Sequence, residues 1–254
     1  MNKILPELSL LQEAERILQN SKEKGVILRL IGATAFRLHC REYGWIQEKL
    51  GRTLSDIDFV GYSNQSNRIR KLFQDLGYEE RGMINVLLSK ERLVFYDISQ
   101  GKHVDVFLDK LRFNHIINLI GRLEIDYPTI SLVDLLLEKI QIVKITQKDI
   151  IDVIMLLREH KVGLGNQETI DAGYLAKLCS DDWGLWKTTT MNLQKIQEFL
   201  NMLDLPDEDK EDVRLKIQSL LSYINEEPKT FKWKMRSKIG EKKKWYEDVE
   251  ELER

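Results

Sequence analysis

The apolar residues of this 254-residue chain change their spacing near residue 110. Before that point they fall in short runs such as VILRLI at 26–31, IDFV at 57–60 and HVDVFL at 103–108. After it they recur at three- and four-residue intervals, as in LVDLLLEKIQIVKI from Leu132. Strands alternate side chains with a period of two and helices with a period of 3.6, so the switch divides a mixed α/β portion from a helical one. The pattern predicts a helix around 8–18 closed by Gly25, a strand over 26–31, the turn residue Gly32, and a helix over 33–41. A strand over 57–60 and a helix over 66–76 follow. Runs at 83–88, 93–98 and 103–108 then read as strands joined by two hairpins. From Leu111 onward only helices are expected, with Ser131 and Asp134 marking one start and residues 149–160 forming the next. The expected fold class is α/β (α+β): a small mixed sheet in a domain at 1–120, then a helical domain at 121–254, with the boundary somewhere in 110–128.

Composition is that of an ordinary globular protein, 43% hydrophobic and 31% charged. A formal net charge of −2 argues against a chain that binds polyanions by bulk charge alone. The two cysteines, Cys40 and Cys179, are too far apart and too poor in histidine neighbours for a zinc site or a disulfide framework, and read as small buried apolar residues. Charges recur through MNKILPELSLLQEAERIL, and no later run is long and apolar enough to span a bilayer. The expectation is a cytoplasmic protein with no membrane partner.

The segment SDIDFV, 55–60, carries the chemistry. Alternate residues of a strand share a face about 6.6 Å apart, so Asp56 and Asp58 point one way while Ile57 and Phe59 point the other. HVDVFLD repeats the pattern, with His103, Asp105, Phe107 and Asp109 on one face. An isolated D-x-D is common and usually marks a solvated strand edge. If the two strands are neighbours, however, Asp105 joins Asp56 and Asp58, and three like charges that close demand a cation. Oxygen-only ligands suit Mg²⁺ or Mn²⁺, and a pair of such ions can activate a hydroxyl and hold a triphosphate leaving group. Ahead of them, LRLIGATAF runs a strand into Gly32 and straight into a helix. Glycine permits close backbone approach there, and the free N–H groups of a helix start favour phosphate.

Taken in order, IGATAF, SDIDFV and HVDVF resemble the DNA polymerase β superfamily of nucleotidyltransferases, whose pattern is a Gly-Ser or Gly-Gly turn, a D-x-D strand and a third acidic strand. That resemblance implies Asp56, Asp58 and Asp105 as metal ligands, with Asp105 assisting deprotonation of the acceptor. It implies Gly32, Ala33 and Thr34 as the triphosphate cradle. Ala33 stands where the family has Ser or Gly, and Thr34 offers the nearest hydroxyl.

Lys139 is an odd charge, set inside the stripe of Leu132, Leu135, Leu136, Ile142 and Val143. Either it snorkels, or its ammonium reaches carboxylates or phosphates. On the following helix Asp149 and Asp152 share a face. The set of Arg52 ahead of DIDF, EKI at 138–140 and KDIIDV at 148–153 resembles the AbiEii and MenT type toxin nucleotidyltransferases. By that resemblance Lys139 and Asp149 are catalytic-site residues, and Arg52 and Lys148 bind nucleotide, with Lys148 replacing an arginine. The implied activity is NTP-dependent and Mg²⁺-dependent transfer of an NMP to a hydroxyl of RNA such as tRNA, of protein or of a small molecule. Two alternatives are a catalytically silent interaction protein on the same fold, and the toxin of a toxin–antitoxin pair with an antitoxin protein as partner.

Residues 163–254 carry no such resemblance. Within them, 229–244 holds eight Lys/Arg and one acid, Glu241, interleaved with Phe231 and Trp233 and followed by Trp245 and Tyr246. Cations for phosphates and aromatics for bases suit nucleic acid, while the same pattern suits an amphipathic surface helix with packed aromatics. If RNA or DNA binds here, charge reversal of Lys242, Lys243 and Lys244 should weaken it, and affinity should fall steeply between 50 and 200 mM salt. A filter-binding titration checks both, and salt-independent or absent binding would leave the segment structural.

Overall fold

The computed structural model describes residues 6–80, 91–97 and 102–249. Its main sheet has five strands: β1 (Leu28–Ile31), β2 (Ile57–Gly61), β3 (Glu79–Glu80), β4 (Arg92–Asp97) and β5 (Lys102–Leu108). They lie side by side in the order β1-β2-β5-β4-β3. The β2–β5 pair is parallel and the other three are antiparallel. The β4–β5 hairpin is therefore as expected, whereas the expected strand at 83–88 lies outside the described residues.

Register fixes what each face carries. Leu30, Phe59, Val106 and Leu93 are aligned across four strands, and all are buried. Helix α4 (Ser66–Asp75) packs on this face. Phe73 stacks on Phe95 with ring centroids 4.1 Å apart. The other face aligns Ile31, Asp58, Asp105 and Val94 in one row, and Arg29, Val60, Phe107 and Arg92 in the next. Helices α1 (Pro6–Glu23) and α2 (Gly32–His39) complete the elements around the sheet. β1 passes directly into α2, as the sequence predicts.

The chain forms two compact units, each discontinuous in sequence: residues 1–39, 53–111 and 118–131 in one, and 40–52, 112–117 and 132–254 in the other. No single cut near residue 120 separates them. Segment 118–131 belongs with the sheet because Leu30 N donates to Pro128 O at 3.0 Å and Ile130 N donates to Leu30 O at 3.3 Å.

The second unit holds α3 (Trp45–Lys49), α5 (Leu132–Ile140), α6 (Gln147–Glu159), α7 (Ala172–Asp181), α8 (Trp183–Leu200), α9 (Asp207–Glu226) and α10 (Phe231–Ile239). α5 is shorter than its apolar pattern suggests. Asn192 Nδ2 caps its end, donating to Ile140 O and Ile142 O at 2.8 Å each, while Val143 N donates to Asn114 Oδ1 at 2.7 Å. α6 starts on a reciprocal capping box between Thr146 and Asp149.

Two expectations need correction. Short strands do follow Leu111: β6 (Lys110–Arg112) with β7 (Ile116–Asn118), and β8 (Lys161–Gly163) parallel to β9 (Thr169–Asp171). Strands of three residues are too short to display a period of two. Asp109 is not on the face of Asp105, because β5 ends at Leu108 and Asp109 has φ 64°. Its carboxylate instead accepts from Ser63 N at 2.9 Å. Of the two readings of the basic segment, packing on the protein is met in part: Trp233, Trp245 and Tyr246 are half-buried, while Phe231 is exposed. The Trp233 ring meets Trp186 edge-on at 5.1 Å, Trp245 Nε1 donates to Thr188 Oγ1 at 3.0 Å, and the Arg236 guanidinium lies 4.6 Å from the Trp183 centroid. Lys234, Lys238, Lys242 and Lys243 remain exposed. Among the described residues no helix is long and apolar enough to cross a membrane.

The closing segment lies over the start of α8, where Gly184 leaves room: a Cβ there would sit 2.5 Å from Trp245 O. Gly184→Ala should therefore lift this segment, although alanine suits a helix better by up to about 1 kcal/mol. The expected outcome is faster tryptic cleavage at Lys242–Lys244 than in the wild type. An unchanged rate would show that the backbone of 244–246 shifts at no cost.

Candidate functional site

In the first unit, Asp58 and Asp105 are register partners on adjacent parallel strands, so their side chains leave the sheet from the same face. Gly32 adjoins them. It has φ 71°, which favours glycine, and a Cβ built on it would lie 2.6 Å from Asp58 Oδ2. Any other residue at position 32 would displace that carboxylate. Asp56 stands one residue before β2 and is half-buried. Ser55 Oγ donates to its Oδ2, and Thr34 Oγ1 donates to its main-chain oxygen, both at 2.9 Å. The fully buried Thr34 hydroxyl thus anchors the entry of β2. Ala33 is half-buried in the first turn of α2.

Asp105 is buried and forms an ion pair with Arg92. Arg92 is the register partner of Phe107, and its guanidinium carbon lies 4.8 Å from that ring's centroid. Arg92 Nε is buried without a hydrogen-bond partner among the described residues.

Among the described residues no three His, Cys, Asp or Glu side chains are grouped as a metal site. The set brought together is the Asp58–Asp105 pair, with Asp56 at the strand entry. This donor set fits Mg²⁺ or Mn²⁺, since Mg²⁺ is commonly held by one or two carboxylates with water and substrate phosphates completing its shell. The space that only glycine leaves beside Asp58 is consistent with that fit.

The second unit gathers most of the other residues singled out from the sequence. Asp152 is fully buried. It accepts from Gln47 Nε2 at 2.7 Å, and from Arg52 Nε and Nη2 at 3.2 and 3.3 Å on its two oxygens. Lys139 Nζ lies 2.9 Å from Glu138, 3.6 Å from Asp149 and 3.9 Å from Asp152. Burial disfavours its ammonium, but Glu138, Asp152 and Asp149 outweigh that cost and raise the pKa above the ordinary lysine value. Lys139 does not snorkel: with Arg52 it supplies the positive charge of a buried acidic cluster. Asp149 Oδ2 accepts from Thr146 N and Oγ1 at 3.1 and 2.7 Å, so this carboxylate caps a helix as well as facing Lys139. Lys148 is exposed on the first turn of α6. Cys40 and Cys179 are buried, and burial pushes the Cys179 thiol up to about 12, which leaves it unreactive.

No family model, no curated protein and no solved structure matches the chain.

Sequence reasoning missed Arg92 and Gln47 and left Asp152 without a partner. Arg92 carried a recoverable signal: alternation puts it on the face of Val94, and pairing β4 with β5 puts that face beside Asp105. Gln47 carried none, because it reaches Asp152 from 105 residues away.

Removing the Lys139 charge would strand buried carboxylates, which typically costs about 3–5 kcal/mol. Lys139→Met should therefore lower the urea midpoint clearly, where a snorkelling lysine would give a neutral or stabilising change. Adding Asp152→Asn to Lys139→Met should cost less than the sum of the two single changes. Additive losses would show that the two residues are uncoupled.

Proposed function

We propose that the chain is a metal-dependent nucleotidyltransferase that moves a nucleoside monophosphate from an NTP to a hydroxyl acceptor. The observation carrying this reading is the placement of Asp58 beside Asp105 on parallel neighbouring strands, against a glycine turn that opens a helix. Asp58 and Asp105 would hold Mg²⁺ or Mn²⁺, with Asp56 joining them. A bound divalent ion supplies positive charge to the triphosphate and acidity to the attacking hydroxyl. Asp105 would assist in taking the acceptor's proton, a role open to a buried carboxylate within hydrogen-bond reach of that hydroxyl. Main-chain N–H groups of Gly32 and Ala33 would meet phosphate oxygens at the start of α2. Thr34 would contribute by fixing the segment that carries Asp56. Arg52, Lys139 and Asp149 would act through the internal order of the second unit.

The exposed lysines of 229–244 suit an RNA acceptor through phosphate contacts. Trp233 and Trp245 are half-buried against Trp186 and Thr188, which leaves the exposed Phe231 as the ring open to base stacking. The Arg92–Asp105 ion pair favours a second reading, a catalytically silent protein on the same fold. One experiment separates the two. Mg²⁺ or Mn²⁺ with NTP should raise the melting temperature of the wild type, because ligands of the folded site add RT ln(1 + [L]/Kd) to stability. Labelled NTP with total cellular RNA and protein should yield a labelled product. Asp58→Asn should blunt the thermal shift and reduce labelling by about 100-fold or more, as expected when charge stabilisation at the reacting phosphate is lost. A thermal shift without labelling of any fraction would favour the silent fold, and an equal shift in Asp58→Asn would remove the metal from this site.

A further inference from the structure

Asp105 is buried beside a second carboxylate, Asp58, on the adjacent strand. Two anions so placed raise each other's energy unless a cation adjoins them. The chain supplies one from β4. Arg92 opens that strand opposite Phe107, one row from Asp105 on the same face, and its Nη2 donates to Asp105 Oδ2. The Phe107 ring supports the guanidinium. The pose satisfies charge better than it satisfies hydrogen bonding. Arg92 Nε is buried with no acceptor among the described residues, although a guanidinium can form two parallel bonds to one carboxylate. Arg52 on Asp152 shows the contrast within the same chain, with Nε and Nη2 on the two oxygens.

We propose that Arg92 is the resident counter-cation of Asp105 and gives way when a divalent metal ion binds the Asp58–Asp105 pair. This rests on the nucleotidyltransferase reading and goes beyond it by assigning a residue that sets how readily the pair takes metal. Arg92 and the metal compete for one carboxylate. By linkage, each weakens the other's hold by the same factor. Arg92 is thus a positioning residue acting through Asp105. It stabilises the pair in the absence of metal and raises the metal concentration at which the site fills.

The test is titration of Mn²⁺ without nucleotide, followed by the paramagnetic signal of the free ion, for wild type, Arg92→Gln, Arg92→Lys and Asp58→Asn. An arginine beside a carboxylate lowers its affinity for a proton by about tenfold or more, and the same repulsion opposes a metal ion. Arg92→Gln should accordingly bind Mn²⁺ about tenfold more tightly, and Arg92→Lys should return to near the wild-type value. Arg92→Gln with equal or weaker affinity, alongside a wild type that loses Mn²⁺ on Asp58→Asn, would overturn the role of Arg92 and leave the nucleotidyltransferase reading standing. A wild type that binds no Mn²⁺, or binds it unchanged in Asp58→Asn, would overturn both. Should Arg92→Gln fail to fold, the wild type still decides. Its Arg92 Nε–H resonance should shift saturably on adding diamagnetic Mg²⁺, and an unmoved resonance in a metal-bound protein would overturn the proposal.

Discussion

The parallel pairing of β2 with β5 governs the first unit. It sets Phe59 beside Val106 on the packed face and Asp58 beside Asp105 on the opposite face. Because the side-chain period of a strand is two, a slip of one residue would exchange these faces, burying carboxylates among Leu30, Leu93 and Phe73. Such a slip would cost several kcal/mol for each uncompensated charge. The hydrophobic face therefore fixes the register, and the register brings the acids together. Neither strand could achieve this through a tight turn, since parallel strands require a crossover, here through α4 and the antiparallel strands that follow it.

The second unit solves a related problem in another way. Its acids are not spread along a sheet face but are gathered around Asp152, which has no exposure and three basic or amide partners. These partners come from α3, from the segment after it, and from α5. Glu159, at the far end of α6, accepts from Tyr43 N at 2.9 Å and holds the same 40–52 segment from its other side. A buried ionic cluster of this kind gains little over a well-packed apolar one, but it strongly penalises loss of any single member. It also specifies one arrangement of those elements, because each polar atom has few alternative partners.

The strand, glycine turn and helix from residue 26, the strand at 57, the helix at 66 and the β4–β5 pair were legible from alternation and from the glycine between strand and helix, whereas α3 and the two-residue β3 were not. Asp58 and Asp105 could each be placed on the polar face of its strand from periodicity alone, whereas Asp56 precedes β2 and Asp109 follows β5. Their adjacency could not, as strand order is a long-range property. The oddity of Lys139 was also legible, a charge inside an apolar stripe. Its resolution was not: the partners Glu138, Asp149 and Asp152 become visible only when α5 and α6 pack, and Arg52 and Gln47 arrive from far upstream. The short strands β6 to β9 left no signal because three residues cannot establish a period. The aromatics of the basic segment were ambiguous between stacking on bases and packing on the protein, since both tasks use the same residues at the same spacing.

The fold of the closing segment bears on how the chain can be shortened. Trp245 donates to Thr188, Glu247 N donates to Asn114 O, and Asn114 Nδ2 donates to Glu247 O. Residues 244–247 thereby line one wall of a cavity of about 520 Å³ whose other walls include Trp183 and His115. A truncation ahead of Trp245 would remove that wall, leave Asn114 with a donor and an acceptor to satisfy from water, and bare the indole of Trp183. Contiguous aromatic surface of that kind promotes association. A shortened chain would accordingly be harder to keep monodisperse, so a trimmed boundary chosen for crystallisation belongs after Glu247, not at the end of α10.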